Sequence, residues 1–154
     1  MRLVVFIVGG TILISALLIF GFGKQGSQPV LENGRITVFY SPTCACCIQY
    51  ISYLKRNGFK VLEKKDMAKR MDLLEKYQIP QEMTACHTSI IGDYFVEGHM
   101  PVEIIKKLLE EKPEIDGIAL PGMPPGSPGM SGFKTGKWTI YGLLDGRPSE
   151  FMVF

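Results

Sequence analysis

The sequence predicts an α/β domain in which strands and helices follow the order βαβαββα, with a β-hairpin added at the end. Short runs of β-branched and aromatic residues alternate with segments of helical periodicity, and capping or turn residues separate them. The composition, with 46% apolar and 21% charged residues, is that of a globular chain. Alternating strands and helices imply parallel strands joined by crossover helices.

The first 24 residues are predicted to be a membrane segment. Residues 3–23 carry no charge, lie between Arg2 and Lys24, and are long enough to cross a hydrocarbon core of ~30 Å at ~1.5 Å per residue. A cleaved signal peptide is the alternative, and the length favours an uncleaved transmembrane anchor. Positive charge before the segment keeps the amino end in the cytoplasm, so the domain is expected on the periplasmic or extracellular face, tethered or, after cleavage, soluble.

Residues 25–34 are polar, contain glycine and lack periodicity, which predicts a flexible tether to a domain over residues 35–154. Without Arg2 and Lys24 the basic and acidic residues both number 15, so the exported part is neutral. A nucleic-acid-binding protein needs a basic face, and this composition argues against that class.

The first strand is predicted over Arg35–Tyr40, and apolar residues on both of its faces indicate an internal strand. A helix from Cys47 to Asn57 follows, with Gly58 as its stop signal. A second strand covers Phe59–Glu63. The residues of the helix predicted to face inward are Ile48, Ile51 and Leu54.

Asp66 is a suitable cap for a second helix that begins at Met67 and ends near Tyr77. Its apolar face is predicted to consist of Met67, Met71 and Leu74. Two antiparallel strands, Thr88–Ile91 and Tyr94–Glu97, then flank a turn at Gly92-Asp93. Glu97 is expected to be solvated.

A third helix is predicted from Pro101 to about Lys112, because proline suits the first helical position. Its inward residues are predicted to be Val102, Ile105 and Leu109. Residues 121–130 are rich in Pro and Gly and predict a loop. A terminal hairpin, Lys137–Leu144 with Glu150–Phe154, is expected about Asp145-Gly146. The complete order is that of a thioredoxin-like fold.

Three of the four cysteines, Cys44, Cys46 and Cys47, lie at the turn from the first strand into the first helix. The fourth, Cys86, is followed by His87 at the entrance to a later strand. A domain of this size has little need of disulfides to fold, so the clustered thiols are interpreted as a functional site.

Adjacent Cα atoms are ~3.8 Å apart, below the ~4.4 Å that an ordinary disulfide needs, so Cys46 and Cys47 are not expected to bridge each other. Cys44 can pair with either. The start of a helix lowers the pKa of a thiol. Several thiolates so close together repel one another unless a cation lies between them, which favours metal binding over partial oxidation.

Thiolate and thioether ligands select Cu(I), while four thiolates, or three with a histidine, also suit zinc. Zinc ligands usually arrive as two separated pairs, whereas crowded thiols favour bridging sulfurs and more than one ion. Copper is therefore preferred. The candidate ligands are Cys44, Cys46, Cys47, Cys86 and His87, with His99, Met123 and Met130 as additional candidates.

Several motifs together resemble the CopG-like family, a group of small exported thioredoxin-like proteins associated with bacterial copper resistance. The resemblance covers about residues 35–154 and rests on Ser41-Pro42-Thr43-Cys44-Ala45-Cys46-Cys47, Ala85-Cys86-His87-Thr88, Gly92-Asp93-Tyr94, Val96-Glu97-Gly98-His99, Pro121-Gly122-Met123-Pro124 and Ser127-Pro128-Gly129-Met130. It implies that the four cysteines bind a cluster of copper ions.

Three functions stay open at this point. The first is a copper-binding protein that sequesters Cu(I) or passes it to other exported copper-handling proteins. The second is a thiol-disulfide oxidoreductase that uses Cys44 and Cys47. The third is an interaction domain stapled by disulfides, which predicts no free thiol. Whether the protein catalyses a redox reaction stays open with them.

Overall fold

The computed structural model describes residues 34–154, which form one seven-stranded mixed sheet with three α-helices. The predicted membrane segment and nearly all of the predicted tether lie outside these residues. The strands are β1 (Arg35–Tyr40), β2 (Lys60–Lys64), β3 (His87–Ile91), β4 (Tyr94–Glu97), β5 (Gly117–Ala119), β6 (Thr139–Leu144) and β7 (Arg147–Val153). The helices are α1 (Ala45–Arg56), α2 (Met67–Lys76) and α3 (Val102–Glu111), with a 3-10 turn at Gln81–Met83.

The spatial order of the strands is β2-β1-β3-β4-β5-β6-β7. β1 pairs in parallel with β2 and antiparallel with β3, which confirms that β1 is internal and that a crossover helix joins the first two strands. β3 and β4 pair antiparallel, as predicted. From β1 to α3 the elements follow the predicted βαβαββα order.

The terminal hairpin of β6 and β7 is confirmed, with Asp145 and Gly146 both at positive φ in the turn. Such a turn matches the right-handed twist of the two strands. β5 was not predicted, because a run of three residues carries no detectable periodicity. It pairs with β4 on one side and β6 on the other, so it joins the hairpin to the rest of the sheet.

The buried face of α1 differs from the prediction. Ile51 and Leu54 are buried, but Ile48 is 48% exposed, and Cys47 and Tyr50 are buried instead. The reason is tertiary: the hydroxyl of Tyr50 donates a hydrogen bond to the carbonyl oxygen of Met100, 3.0 Å away. A polar end that finds a partner allows a tyrosine ring to be buried.

The predicted apolar face of α2 is wrong for Met67 and Met71, whereas Leu74 is half-buried and packs against the core. Met67 and Met71 are exposed, while Arg70 and Leu73 are buried. Arg70 is turned inward because its guanidinium pairs with the buried carboxylate of Glu97. The predicted cap is confirmed, since Asp66 accepts a hydrogen bond from the backbone N–H of Lys69 at 2.8 Å.

α3 begins one residue after Pro101 and buries Val102 and Ile105, as predicted. Leu109 is only half-buried, and the buried set is completed by Ile104 and Leu108. Residues 121–130 contain neither helix nor strand, which confirms the predicted loop. Within residues 34–154, no helix combines the length and apolar character needed to cross a membrane.

Candidate metal centre

The Ser41–Cys47 turn places three cysteines at the start of α1. Cys44 is the residue that caps the helix, and its backbone N–H donates to the carbonyl oxygen of Ser41 at 3.0 Å. Sγ of Cys44 accepts a hydrogen bond from the backbone N–H of Cys47 at 3.3 Å, so sulfur here takes the usual place of a capping oxygen. Cys47 is buried, whereas Cys44 and Cys46 are half-buried.

Cys44 and Cys47 form a disulfide in the structure, with their Cα atoms 5.3 Å apart. This is one of the two pairings that the spacing permits. Cys46 and Cys86 are free. The prediction that Cys46 and Cys47 do not bridge each other is therefore confirmed.

All four sulfur atoms meet at the start of α1. Sγ of Cys46 lies 3.4 Å from Sγ of Cys44 and 3.7 Å from Sγ of Cys86. The four Sγ atoms all lie within 4.8 Å of one another. The structure thus brings Cys86 to the three clustered cysteines across a separation of 40 residues.

His87 is fully buried at the first position of β3. Its Nδ1 lies 3.5 Å from Sγ of Cys86. Consecutive strand residues point to opposite faces, but Cys86 precedes the strand, so the two side chains can approach each other. Within residues 34–154, Nε2 of His87 has no hydrogen-bond partner. Burial lowers the pKa of His87 well below its usual range, and nearby His99 and Arg70 lower it further.

His99 joins the same group of side chains. Its Nε2 lies 3.1 Å from Sγ of Cys86, and its Nδ1 lies 2.7 Å from the carbonyl oxygen of Pro128. A carbonyl oxygen only accepts, so Nδ1 carries the proton and the lone pair of Nε2 faces the sulfur. Burial lowers the pKa of His99, which keeps the ring neutral. Histidines that bind metals usually donate their second N–H in this way.

Cys86 is the centre of these contacts. Burial, which is the larger cause, and the proximity of Cys46 together raise the pKa of its thiol to about 12. Without a metal, the protonated Cys86 can donate to Nε2 of His99. The donor atoms of Cys86, His87 and His99 lie within 4.8 Å of one another, so Cys86 belongs both to this set and to the group of four sulfurs.

The Pro/Gly-rich loop closes one side of the site. Gly129 has a φ of +83°, and a Cβ atom there would lie 2.7 Å from the backbone N of Tyr50 and 3.0 Å from the carbonyl oxygen of Cys46. Only glycine allows so close an approach. Beside it lies an open cavity of about 450 Å³, whose walls include Cys46, Gln49 and Met130. Met123 is half-buried and does not line this cavity.

The expectation that Glu97 is solvated is wrong, because its side chain is fully buried. Its carboxylate accepts hydrogen bonds from Nη2 of Arg70 at 2.9 Å, from the backbone N–H of Ala85 at 2.7 Å and from Oγ1 of Thr88 at 2.6 Å. Burial raises the pKa of Glu97, while these three donors favour its ionised form. The sequence contained one indication of this burial, because Glu97 and the apolar Phe95 are two positions apart and therefore lie on the same face of the strand.

The comparisons with known proteins agree with the sequence motifs. The family described as "Protein of unknown function, DUF411" matches residues 83–130, the stretch that contains Cys86, His87, His99 and the loop. None of the curated proteins matches the chain.

Two solved structures, described as copper resistance protein CopG in form 1 and form 2, are similar to this one. Each has a TM-score of 0.69 and 37% sequence identity over 78% of this chain. The match covers 97% of form 2 and 96% of form 1. Similarity at this level over nearly the whole of those chains shows common descent, and the protein belongs to the CopG-like family.

Proposed function

We propose that this protein binds copper outside the cytoplasm and holds it at a site built from cysteines, for copper resistance or homeostasis. The observation that carries the proposal is the convergence of four Sγ atoms within 4.8 Å of one another at the start of one helix. The relatives described as copper resistance proteins support it. The uncharged segment of residues 3–23 supports a location outside the cytoplasm, anchored or released.

The donor set fits copper. Thiolates are soft ligands that select Cu(I), and His99 offers a fixed nitrogen lone pair beside Cys86. His87 lies beside the same sulfur, with its Nδ1 3.5 Å from Sγ of Cys86, so this nitrogen is the one placed to bind. Because Cys46 lies against both Cys44 and Cys86, its sulfur is placed to be shared, so we propose more than one ion.

The copper ions are cargo, and the chain supplies ligands and a partly enclosed site. Cys44, Cys46, Cys47 and Cys86 would be the sulfur ligands, with His99 and His87 as nitrogen ligands. The Cys44–Cys47 disulfide must be reduced before all four sulfurs can bind. Cys86 must also lose its proton, so loading releases acid. Met130, at the wall of the open cavity beside Cys46, is placed to bind an entering ion.

We also propose that the βαβαββα part of the sheet is a thioredoxin-like scaffold. The parallel pair of β1 and β2, joined through α1, and the antiparallel pair of β3 and β4 support this assignment. On such a scaffold the cysteine turn is open to exported proteins that deliver or receive copper. Transfer to such a partner would use the side of the site where Cys46 and Met130 line the cavity.

Anaerobic loading of the reduced full-length protein with Cu(I), followed by gel filtration and metal analysis, tests the proposal. We expect the wild type to retain copper and the Cys46→Ser variant to retain much less. Thr43→Ser is the matched control, because it lies in the same turn and keeps the hydroxyl that contacts Ser41. Failure of the reduced wild type to retain copper, or equal retention by Cys46→Ser, would overturn the proposal.

A thiol-disulfide oxidoreductase is the second candidate, and the Cys44–Cys47 disulfide at the start of α1 favours it. In one turnover two thiols of a partner protein would become a disulfide while Cys44 and Cys47 become thiols. The expected activity survives removal of all copper by a chelator and disappears in Cys44→Ser. The stapled interaction domain is disfavoured, because Cys46 and Cys86 are free.

A further inference from the structure

Arg70 and Glu97 form a buried ion pair next to the cysteine site. Nη2 of Arg70 lies 2.9 Å from Oε1 of Glu97, and the two side chains are 8% and 0% exposed. Burying both charges removes them from water at a large cost, so such a pair is weak evidence for stability. Within residues 34–154, Nε of Arg70 has no hydrogen-bond partner, which adds to the cost. Stability alone is therefore a poor explanation for the pair.

The ion pair contacts the residues on either side of Cys86 and His87, two of the proposed ligands. The carboxylate accepts from the backbone N–H of Ala85 at 2.7 Å and from Oγ1 of Thr88 at 2.6 Å. The guanidinium donates to the carbonyl oxygen of Ala85 at 2.7 Å. Ala85 directly precedes Cys86, and Thr88 directly follows His87. Both ends of this short segment are thus held by one ion pair.

Glu97 also belongs to the backbone segment that leads to His99. The carbonyl oxygen of Glu97 accepts from the backbone N–H of Leu120 at 3.1 Å, and the N–H of Gly98 donates to the carbonyl oxygen of His87 at 3.3 Å. Gly98 has a φ of +85°, and a Cβ atom there would lie 2.7 Å from the oxygen of Leu120. The two residues before His99 therefore have little freedom to move.

We propose that Arg70 and Glu97 are positioning residues that fix Sγ of Cys86 opposite Nε2 of His99. Their side chains contact the segment that carries Cys86, Glu97 itself belongs to the backbone segment that leads to His99, and neither residue is a proposed ligand. The consequence for copper rests on the proposed function, because groups that orient metal ligands change affinity by about 10- to 100-fold when removed. The consequence for the thiol holds in the metal-free protein as well.

The test compares wild type with Glu97→Gln as reduced, full-length, metal-free proteins. Peptide-resolved alkylation measures the reactivity of Cys86, and thermal melting measures folding. We expect alkylation of Cys86 to rise about tenfold as the segment that the carboxylate holds becomes free to open. Competition with a Cu(I) chelator is expected to show at least about tenfold weaker binding, and X-ray absorption is expected to show less nitrogen coordination.

Glu111→Gln is the matched control, because it removes a carboxylate from an exposed ion pair with Lys107 on α3. It is expected to match wild type in every measurement. A folded Glu97→Gln protein whose Cys86 reactivity and copper affinity stay within about twofold of wild type would overturn the inference, since positioning residues typically change affinity by more.

Thr88→Val is the second variant, for the case that Glu97→Gln does not fold. It keeps the ion pair and removes only the hydrogen bond from Oγ1 to Oε2. We expect a smaller change in the same direction, and unchanged alkylation of Cys86 in this folded variant would also overturn the inference. If the wild type retains no copper, the proposed function fails, and the alkylation rates alone decide the positioning role.

Discussion

Nε2 of His99 faces Sγ of Cys86 across 3.1 Å, while Nδ1 of the same ring donates to the carbonyl oxygen of Pro128. The loop carbonyl decides which nitrogen carries the proton and so which nitrogen offers its lone pair to the site. Cys86 is in turn the residue that the two groups of potential metal ligands share. This contact therefore joins the histidine side of the site to the cysteine side.

Replacing His99 by Gln is expected to weaken retention of Cu(I) by about tenfold or more, because the variant lacks the oriented nitrogen. Chelator competition measures the affinity, and X-ray absorption measures the loss of nitrogen coordination. Thr43→Ser, which changes the cysteine turn but no donor atom, is expected to behave as wild type. Unchanged nitrogen coordination in His99→Gln would show that His99 is not a ligand.

The reactivity of Cys86 is expected to depend steeply on pH in the metal-free, reduced protein. Burial, the larger cause, and the proximity of Cys46 together raise the pKa of this thiol to about 12. Only the thiolate reacts, so alkylation of Cys86 should rise about tenfold per pH unit from about pH 7 to about pH 10. In the unfolded chain the rate should level off above about pH 8.5. A similar plateau in the folded protein would contradict the prediction.

The same shift predicts an effect of alkaline pH on stability. A thiol with a raised pKa in the folded state contributes stability that is complete below the unfolded pKa of about 8.5 and is lost as the pH rises towards about 12. Urea unfolding of the reduced protein should therefore show a falling midpoint above about pH 9. In Cys86→Ala the urea midpoint should depend less on pH. An equal slope in the variant and the wild type would contradict the role of Cys86.

Acid should destabilise the metal-free protein through its buried histidines. Burial lowers the pKa of His87 well below its usual range and lowers that of His99 as well. The unfolded chain takes up protons near pH ~6.5 while the folded protein does not, so this contribution to stability is complete above that pH and is lost below it. His87→Gln should show a shallower loss of stability between about pH 7 and about pH 5 in urea unfolding. Parallel curves for the two proteins would refute this role.

Gly129→Ala is expected to destabilise the protein by about 1–3 kcal/mol, because φ is positive and a Cβ atom would meet the backbone of α1. The displaced loop should also withdraw the carbonyl oxygen of Pro128 from His99. Thermal melting and copper retention measure the two effects. Gly136→Ala is the matched control, since a Cβ atom there meets nothing within 4 Å, and it should change stability by less than about 0.5 kcal/mol. Equal stability of the two variants would contradict the close packing of the loop.

The order of elements and the cysteine cluster could be predicted because both depend on local sequence. Alternating strand and helix patterns predicted β1 to α3, and Asp145-Gly146 predicted the hairpin turn. Cys86 was a candidate ligand at the entrance of a later strand, and the pairing of that strand with β1 brings it to the start of α1. Local periodicity, by contrast, could not show that Tyr50 replaces Ile48 on the buried face of α1.

The ion pair of Arg70 and Glu97 could not be predicted, because burial of a charge depends on a partner 27 residues away. On α2 this pairing turns Arg70 inward and leaves Met67 and Met71 exposed, the reverse of what hydrophobicity alone predicts. His99 was only an additional candidate for the same reason. The ring of His99 is oriented by its hydrogen bond to the carbonyl oxygen of Pro128, and no sequence pattern links these two segments.

The donor atoms come from three segments of the chain, residues 44–47, residues 86–87 and His99, and they meet only when β1, β3 and β4 are paired. An ion held by all three binds the folded chain and has no equivalent site in the unfolded one. Free copper at about 100 times its dissociation constant would then stabilise the fold by up to about 2.7 kcal/mol, and copper bound by the adjacent cysteines of the unfolded chain would reduce this gain. The empty protein would be degraded faster than the loaded one, so its lifetime in the cell would rise and fall with the supply of copper.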